Sequence, residues 1–321
     1  MRCQSADASS KLILLGEHAV VYGKTALAVP LLKPRASARV VPAPAGRPAG
    51  VDLKDLEVRW DGDARDVPPA AAPFARLIAL AVERFPAVPA CGWELVVRSR
   101  IPSGCGLGSG AATAAAALRA VCARFAVSCA PALLSELVYE VEKLHHGTPS
   151  GIDNTVIAMG RPILYARGAA PRFLTRPAAP CFLVVGHTGR SHRTSEVVAD
   201  VARARGLNPV RHDAIFDAIG RLSGPGAEAF QAARWIDLGQ LMDRNQELLK
   251  DLGVSSAELD ALVGAARRAG ALGAKLSGAG RGGCMAALAA DAVSGQRVEK
   301  ALKAAGAAET FLTEVGDHAA S

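Results

Sequence analysis

At 321 residues the chain is long enough for about two domains of ordinary size. Half of it is hydrophobic, 21% is charged and only 4% is aromatic, which excludes a disordered chain, a collagen-like repeat and a small disulfide-stapled scaffold. Lys and Arg outnumber Asp and Glu by 37 to 30, but no cationic run exceeds the pair Arg267 and Arg268. A mildly basic field that suits anionic small molecules is therefore expected, and not a nucleic-acid surface of basic arms and stacked aromatics.

In chain order, the opening residues carry Arg2, Asp7 and Lys11 around a short apolar run at 12–15, so no signal peptide is expected. Strand-like alternation marks 12–15, 37–41 and 94–98, and helical periodicity marks 73–84, 109–126 and 131–145. Pro, Gly and Asp make 42–50 and 61–73 surface loops. The uncharged stretch 101–118 is interrupted by Pro102 and four glycines, so it reads as a loop entering a helix and no membrane span is expected. Residues 167–180 are the best candidate boundary, giving domains 1–175 and 176–321. Beyond it follow a strand at 181–186, helices at 193–204, 211–222, 226–250 and 256–269, and strands at 274–277, 284–288 and 310–315. The first half is thus β-rich and the second α+β. The seven cysteines contain no C-x-x-C pair, so neither a disulfide framework nor a zinc site is suggested and they read as small buried hydrophobes. A cytosolic enzyme fits this balance.

Three segments carry candidate chemistry. Ile101-Pro-Ser-Gly-Cys-Gly-Leu-Gly-Ser-Gly-Ala-Ala joins a strand to an Ala-rich helix through alternating glycines. Glycines permit close backbone approach and a helix start offers free N–H groups, which together make an anion site suited to phosphate. A second cluster, Lys275-Leu-Ser-Gly-Ala-Gly-Arg-Gly-Gly-Cys, fits the spacing of a dinucleotide loop but lacks its context. A turn near substrate or phosphates is expected there, and a tight hairpin between strands explains it nearly as well. The third, Glu140-Val-Glu-Lys-Leu-His-His-Gly-Thr-Pro-Ser-Gly-Ile-Asp-Asn, ends a helix and carries Glu142 and Asp153 around a turn. One carboxylate can hold a cation and the other accept a proton; equally, Glu142 can be a solvated helix residue and Asp153 a helix cap. His145 and His146 read as partners of the helix C-terminus and not as metal ligands.

Taken in order, Lys11-Leu-Ile-Leu-Leu-Gly-Glu-His-Ala-Val-Val-Tyr-Gly, the glycine loop at 102–112 and the cluster at 275–284 resemble the three motifs of the GHMP small-molecule kinases. Gly16-Glu-His-Ala-Val-Val, residues 146–154, His187-Thr-Gly-Arg-Ser-His-Arg-Thr and 242–255 resemble the branch of that superfamily that phosphorylates mevalonate. The resemblance implies a two-domain α+β GHMP kinase fold, with an N-terminal β-rich ATP-binding domain and a C-terminal ferredoxin-like α+β domain. It implies transfer of the ATP γ-phosphoryl group to the C5 hydroxyl of mevalonate in isoprenoid synthesis, with ATP and Mg²⁺ bound and a homodimer as the assembly. Phosphomevalonate kinase, homoserine kinase and mevalonate 3-kinase share such a phosphate loop and are the alternatives within the fold; a non-catalytic metabolite sensor is the alternative outside catalysis.

Carried over residue by residue, the resemblance gives the phosphates to Pro102, Ser103, Gly104, Cys105, Gly106, Leu107, Gly108, Ser109 and Gly110. Asp153 corresponds to the general base and Lys11 to the cation that stabilises the incipient alkoxide. Glu142 corresponds to the Mg²⁺ carboxylate. Gly110 stands where many members have the second serine whose hydroxyl meets Mg²⁺, so either Ser109 shifts to serve as that ligand or water replaces the hydroxyl. Glu17, His18 and Thr194, with Gly278 and Ala279, match positions expected to hold the substrate.

Overall fold

The computed structural model describes residues 5–102, 104–146, 149–190 and 193–315, with the backbone alone at 145 and 146. Strand β1 (Ser5–Leu15) leads through a tight helical turn at Ala19–Tyr22 into the long β2 (Ala26–Pro42), followed by β3 (Gly50–Leu53), β4 (Val58–Trp60), α1 (Ala72–Arg84) and β5 (Trp93–Ser99). Helices α2 (Ser109–Phe125), α3 (Pro131–His146) and α4 (Ile152–Met159) come next, then β6 (Ile163–Tyr165), β7 (Arg172–Phe173) and β8 (Phe182–His187). The remainder runs α5 (Thr194–Leu207), α6 (Pro209–Gln231), α7 (Trp235–Asp251), α8 (Ala257–Arg268), β9 (Gly273–Ser277), β10 (Cys284–Ala289), α9 (Ala292–Ala304) and β11 (Glu309–Glu314). The mixed α+β class expected from the sequence is the class that forms. Among the described residues no helix is long and apolar enough to cross a membrane.

The chain divides into two compact units, each assembled from separate stretches. One holds the described residues of Met1–Ser10, Arg35–Pro102 and Gly108–Met159; the other holds those of Lys11–Pro34, Ser103–Leu107 and Gly160–Ser321.

In the first unit β4, β3, β5 and the later half of β2 lie side by side. β3 runs parallel to β5 with Val51 opposite Leu95, and β2 pairs antiparallel with β5 so that Ala38 faces Val97 and Val40 faces Leu95. All five of these side chains are buried, as the period-two pattern requires. Helices α1 to α4 pack together, and α2 also lies on β5. Most of its circumference is small and apolar, with Ala111, Ala112, Ala115, Ala116, Ala117 and Ala120 among its buried residues, which is why it sits in the middle of the helical layer.

In the second unit the strand order β11-β8-β10-β9 is antiparallel throughout. That is the order of a ferredoxin-like unit, with α5, α6 and α7 added to the first crossover. Helices α8 and α9 lie against each other and against the sheet, burying Leu259, Leu262, Val263, Val298 and Leu302 with Val184, Leu276, Met285 and Ala287. The early half of β2 pairs here with β6, which pairs with β7.

The Gly-Pro-Gly at 224–226, expected to separate two helices, lies inside α6. The break comes later, at 232–234, where Ala233 takes a φ of 53°. Packing overrides local propensity: a Cβ on Gly226 would stand 2.2 Å from Leu15 Cδ1, so glycine is what lets this turn press onto β1, and Ser223 Oγ donates to Thr25 O at 2.8 Å. Strands β3, β4, β6 and β7 and helix α9 were not expected, and α4 only as a helix for Asp153 to cap. The strands are too short to show a period, while α9 opens on a capping box between Asp291 and Ser294 and carries Gly295 in its first turns.

Candidate active site

Residues 104–108 carry three left-handed glycines, with φ 72° at Gly104, 70° at Gly106 and 71° at Gly108, and Gly108 immediately precedes α2. Left-handed residues alternating with ordinary ones curl a backbone so that its N–H groups converge, and the first turn of a helix adds unsatisfied donors. Gly106 is fixed by contact: a Cβ there would lie 2.5 Å from Gly278 Cα, and one on Gly278 would lie 2.8 Å from Gly106 Cα. The two glycine segments therefore meet backbone to backbone, which no other residue type permits. Lys11 N donates to Leu107 O at 3.0 Å and fastens the same loop to β1. Ser103 lies outside the described residues, as do Ser191 and His192 and the side chains of His145 and His146.

The segment 278–283 connects β9 to β10, which pair antiparallel from Ser277 opposite Cys284. Its glycine spacing thus belongs to a hairpin and not to a strand, loop and helix. Gly283 N donates to Arg190 O at 2.6 Å and Arg281 N to Val254 O at 2.7 Å, while the Arg281 side chain pairs with Asp200 on α5. Thr194 is the first residue of that helix and is half-buried.

The turn after β1 concentrates charge in the interior of the second unit. Lys11, Glu17, His18 and Lys275 are all buried, Lys275 completely. Lys275 Nζ donates to Glu17 Oε1 and, at 2.6 Å, to Leu276 O; Asn245 Nδ2 on α7 donates to Glu17 Oε2 at 3.1 Å. Burial pulls the Lys275 ammonium below its usual range, the Glu17 carboxylate opposes that, and the Lys11 charge adds to it. His18 lies beside this pair in a left-handed backbone, φ 60°. Its Nε2 is 2.9 Å from Ala279 O, and since a carbonyl only accepts, Nε2 carries the proton and Nδ1 is left as an acceptor. Burial lowers its pKa to about 4, against the opposing effect of the Ala279 bond, with the charges of Arg281 and Lys275 acting in the same direction as burial.

The first unit supplies the carboxylates. Glu142 is on α3 and is buried; Asp153 is half-buried in the first turn of α4, inside the helix and not at its cap. Asn154 sets that turn in place, its Nδ2 donating to Ser135 O at 3.1 Å and to Ser135 Oγ at 2.9 Å on α3. Thr155 Oγ1 donates to Gly151 O at 2.6 Å and closes the turn beneath Asp153. Ser109 opens α2, and its Oγ donates to Ile101 O at 3.4 Å, which commits the hydroxyl proton and leaves oxygen lone pairs. A buried carboxylate and such a hydroxyl are hard oxygen donors of the kind Mg²⁺ takes. Among the described residues no group of three or more His, Cys, Asp or Glu is placed to hold a metal.

Sequence reasoning missed Lys275 and Asn245 as the partners of Glu17, and Asn154 as the support of the turn that carries Asp153. A signal existed for the first: a lysine between Ala274 and Leu276 in an apolar strand pattern needs a buried counter-charge. Nothing local marks Asn245, whose partner is 228 residues away.

The N-terminal domain of the GHMP kinases matches residues 74–161 and the GHMP kinase C-terminal domain matches 227–308. A mevalonate kinase from Thermococcus sibiricus is 37% identical over 94% of this chain and 93% of its own length. Among solved structures, L. major mevalonate kinase in complex with R-mevalonate superposes with a TM-score of 0.84 at 29% identity, covering 99% of this chain and 98% of that one. Methanococcus jannaschii mevalonate kinase gives 0.85 at 26%, covering 98% and 99%. The two-unit α+β architecture and its glycine loops are those of a GHMP kinase, and within that class the chain belongs to the mevalonate kinase family.

Proposed function

We propose that the chain is an ATP-dependent kinase that transfers the γ-phosphoryl group to the C5 hydroxyl of mevalonate, giving 5-phosphomevalonate and ADP. The observation that carries this reading is the set of mevalonate kinase relatives at 33–37% identity, each spanning most of this chain. Phosphoryl transfer needs alignment of the reacting oxygens and neutralisation of the charge on the migrating group more than covalent help from the protein.

Each residue set answers one of those needs. The loop 102–110 holds the triphosphate through backbone N–H groups. Glu142 and Ser109 would hold Mg²⁺, which would neutralise phosphate charge. Asp153 accepts or orients the proton of the C5 hydroxyl, and Lys11 stabilises the alkoxide as it forms. On the acceptor side Glu17, His18, Thr194, Gly278 and Ala279 contact mevalonate; with Nε2 of His18 given to Ala279 O, its Nδ1 is the nitrogen that would accept from a substrate hydroxyl. Cytosolic placement and homodimeric assembly belong to the same reading and rest on family likeness.

The test is ADP release with mevalonate, phosphomevalonate, homoserine and galactose offered in competition, followed by location of the phosphate on the product by ³¹P and ¹³C NMR. Mevalonate phosphorylated at C5 is expected to dominate. Phosphate at C3, or preference for another acceptor, overturns the assignment.

A further inference from the structure

Strand β9 ends on a hydroxyl that has no part in the machinery described so far. Ser277 is 2% exposed, and its Oγ is buried with no hydrogen-bond partner among the described residues. Alternation along the strand sends Leu276 into the apolar core with Met285 and Ala287, so Lys275 and Ser277 share the opposite face. The turn after β1 takes hold of this segment on either side of the serine: Lys275 Nζ donates to Glu17 Oε1, and His18 Nε2 donates to Ala279 O at 2.9 Å. Consecutive residues 17 and 18 thus reach positions 275 and 279, with Ser277 midway between them.

The neighbours leave the hydroxyl unsatisfied. Its register partner on β10 is Cys284, buried like Cys105, Cys122 and Cys181, although Cys91 is exposed and Cys129 half-buried; sulfur is a weak hydrogen-bond partner. On α7, which packs along β9, Gln246 is spent on Leu276 N at 2.8 Å and on Ser255 Oγ and Asp260 Oδ1, both at 3.3 Å. Asn245 Oδ1 on the same helix is a second buried oxygen with no partner among the described residues, and the Ser277 hydroxyl is not bonded to it. A buried hydroxyl that makes no hydrogen bond carries a penalty that alanine would avoid, so it calls for a partner from outside the protein.

We propose that Ser277 is a binding residue of the acceptor site, its hydroxyl donating to an oxygen of the bound alcohol from between Glu17 and His18. This rests on the reading that those two residues meet the acceptor. Hydrogen-bond bookkeeping supports it: the Glu17 carboxylate and His18 Nδ1 take hydrogens from an alcohol but offer none to the lone pairs of its oxygens, and Ser277 supplies that donor. The phosphates have less claim on it. A Cβ on Gly106 would lie 3.2 Å from Ser277 O, so the glycine loop meets this residue at its backbone carbonyl. The adjoining pair of Glu17 and Lys275 carries no net positive charge to draw a polyphosphate, whereas a hydroxylated acceptor needs none.

The test compares full-length Ser277→Ala with the wild-type protein in steady-state kinetics, in calorimetric titration of the acceptor and in urea denaturation without ligands. The acceptor is whichever alcohol the wild-type protein prefers in the competition assay, mevalonate on the present reading; a different preference overturns that reading and leaves this comparison in force. The KM and Kd for the acceptor are expected to rise together by about 3- to 30-fold, the loss of one hydrogen bond. The kcat and the KM for ATP should stay within about twofold, as befits an interaction made equally in the ground and transition states. The denaturation midpoint should hold or rise, because the unliganded protein loses no hydrogen bond. A rise confined to the KM for ATP would put the hydroxyl on the phosphates, and a lowered midpoint with unchanged acceptor KM would make it a structural group. Either result overturns the proposal, as does a variant that matches the wild type in every measurement.

Discussion

The two units fix their candidate site residues by different physics. In the first, Asp153 is located by neutral hydrogen bonds, from Asn154 to Ser135 and from Thr155 to Gly151, on a short helix packed on α3. In the second, Glu17 and His18 are located by buried charge, with Lys275 and Asn245 converging on the Glu17 carboxylate. Neutral supports carry little penalty when the residue they display is changed, whereas a buried ion pair that loses one member leaves the other uncompensated. Substitutions of the displayed residue in the first unit should therefore change rate, and substitutions in the second should change stability.

The largest effect expected on this view is kinetic. Asp153→Asn keeps shape and helix and removes only the carboxylate, so turnover should fall by about 10²–10⁴-fold while the denaturation midpoint stays where it was. Near-normal turnover would remove Asp153 from the chemistry and with it one side of the comparison. The thermodynamic counterpart is Lys275→Met, which strands the Glu17 carboxylate at 1% exposure and should cost about 3–5 kcal/mol in urea titration. Adding Glu17→Gln to it should recover part of that loss, because two neutral partners no longer leave a charge behind. If the double variant is as unstable as the sum of the singles, the pair is not what holds this turn.

His18 allows the contrast to be read by pH alone. Its pKa is about 4 when folded against 6.5 unfolded, so between those values the unfolded chain binds the extra proton. The stabilisation is complete above pH 6.5 and is lost as pH falls from 6.5 toward 4, on the order of 3 kcal/mol over the window. His18→Gln should flatten that stretch of the stability profile. An unchanged slope would mean that the imidazole is protonated where it sits.

How much of this was legible beforehand follows the same division. The shape of the glycine loop could be read because it is local: 104–110 needs only alternating glycines before a helix, and α1, α2 and α3 announced themselves by period. The second unit's network could not, because Lys275 and Glu17 are 258 positions apart and only the fold brings them together. The Gly-Pro-Gly of α6 misled for a related reason: the propensity it expresses is real, but contact with Leu15 outweighs it. Strands β3 and β4 were hidden by length, four and three residues being too few to alternate visibly.

The smallest expected effect tests the neutral support itself. Asn154 is buried and spends its amide on two acceptors of one residue, Ser135 O and Oγ, so Asn154→Ala removes two donors and leaves a buried carbonyl and hydroxyl to find new partners. The cost should be about 1–3 kcal/mol, with a modest loss of turnover because the first turn of α4 is freed to shift. Asn154→Asp keeps the volume but buries a carboxylate against the Ser135 carbonyl, which can only accept, and it should be worse than alanine even if the Ser135 hydroxyl turns to donate to it. Ser135→Ala removes only the hydroxyl, leaves the Ser135 O bond intact, and should be the mildest of the three. That ranking, read together by denaturation and by turnover, separates a geometric support from a packing contact: packing alone would place the isosteric aspartate closest to the wild-type protein.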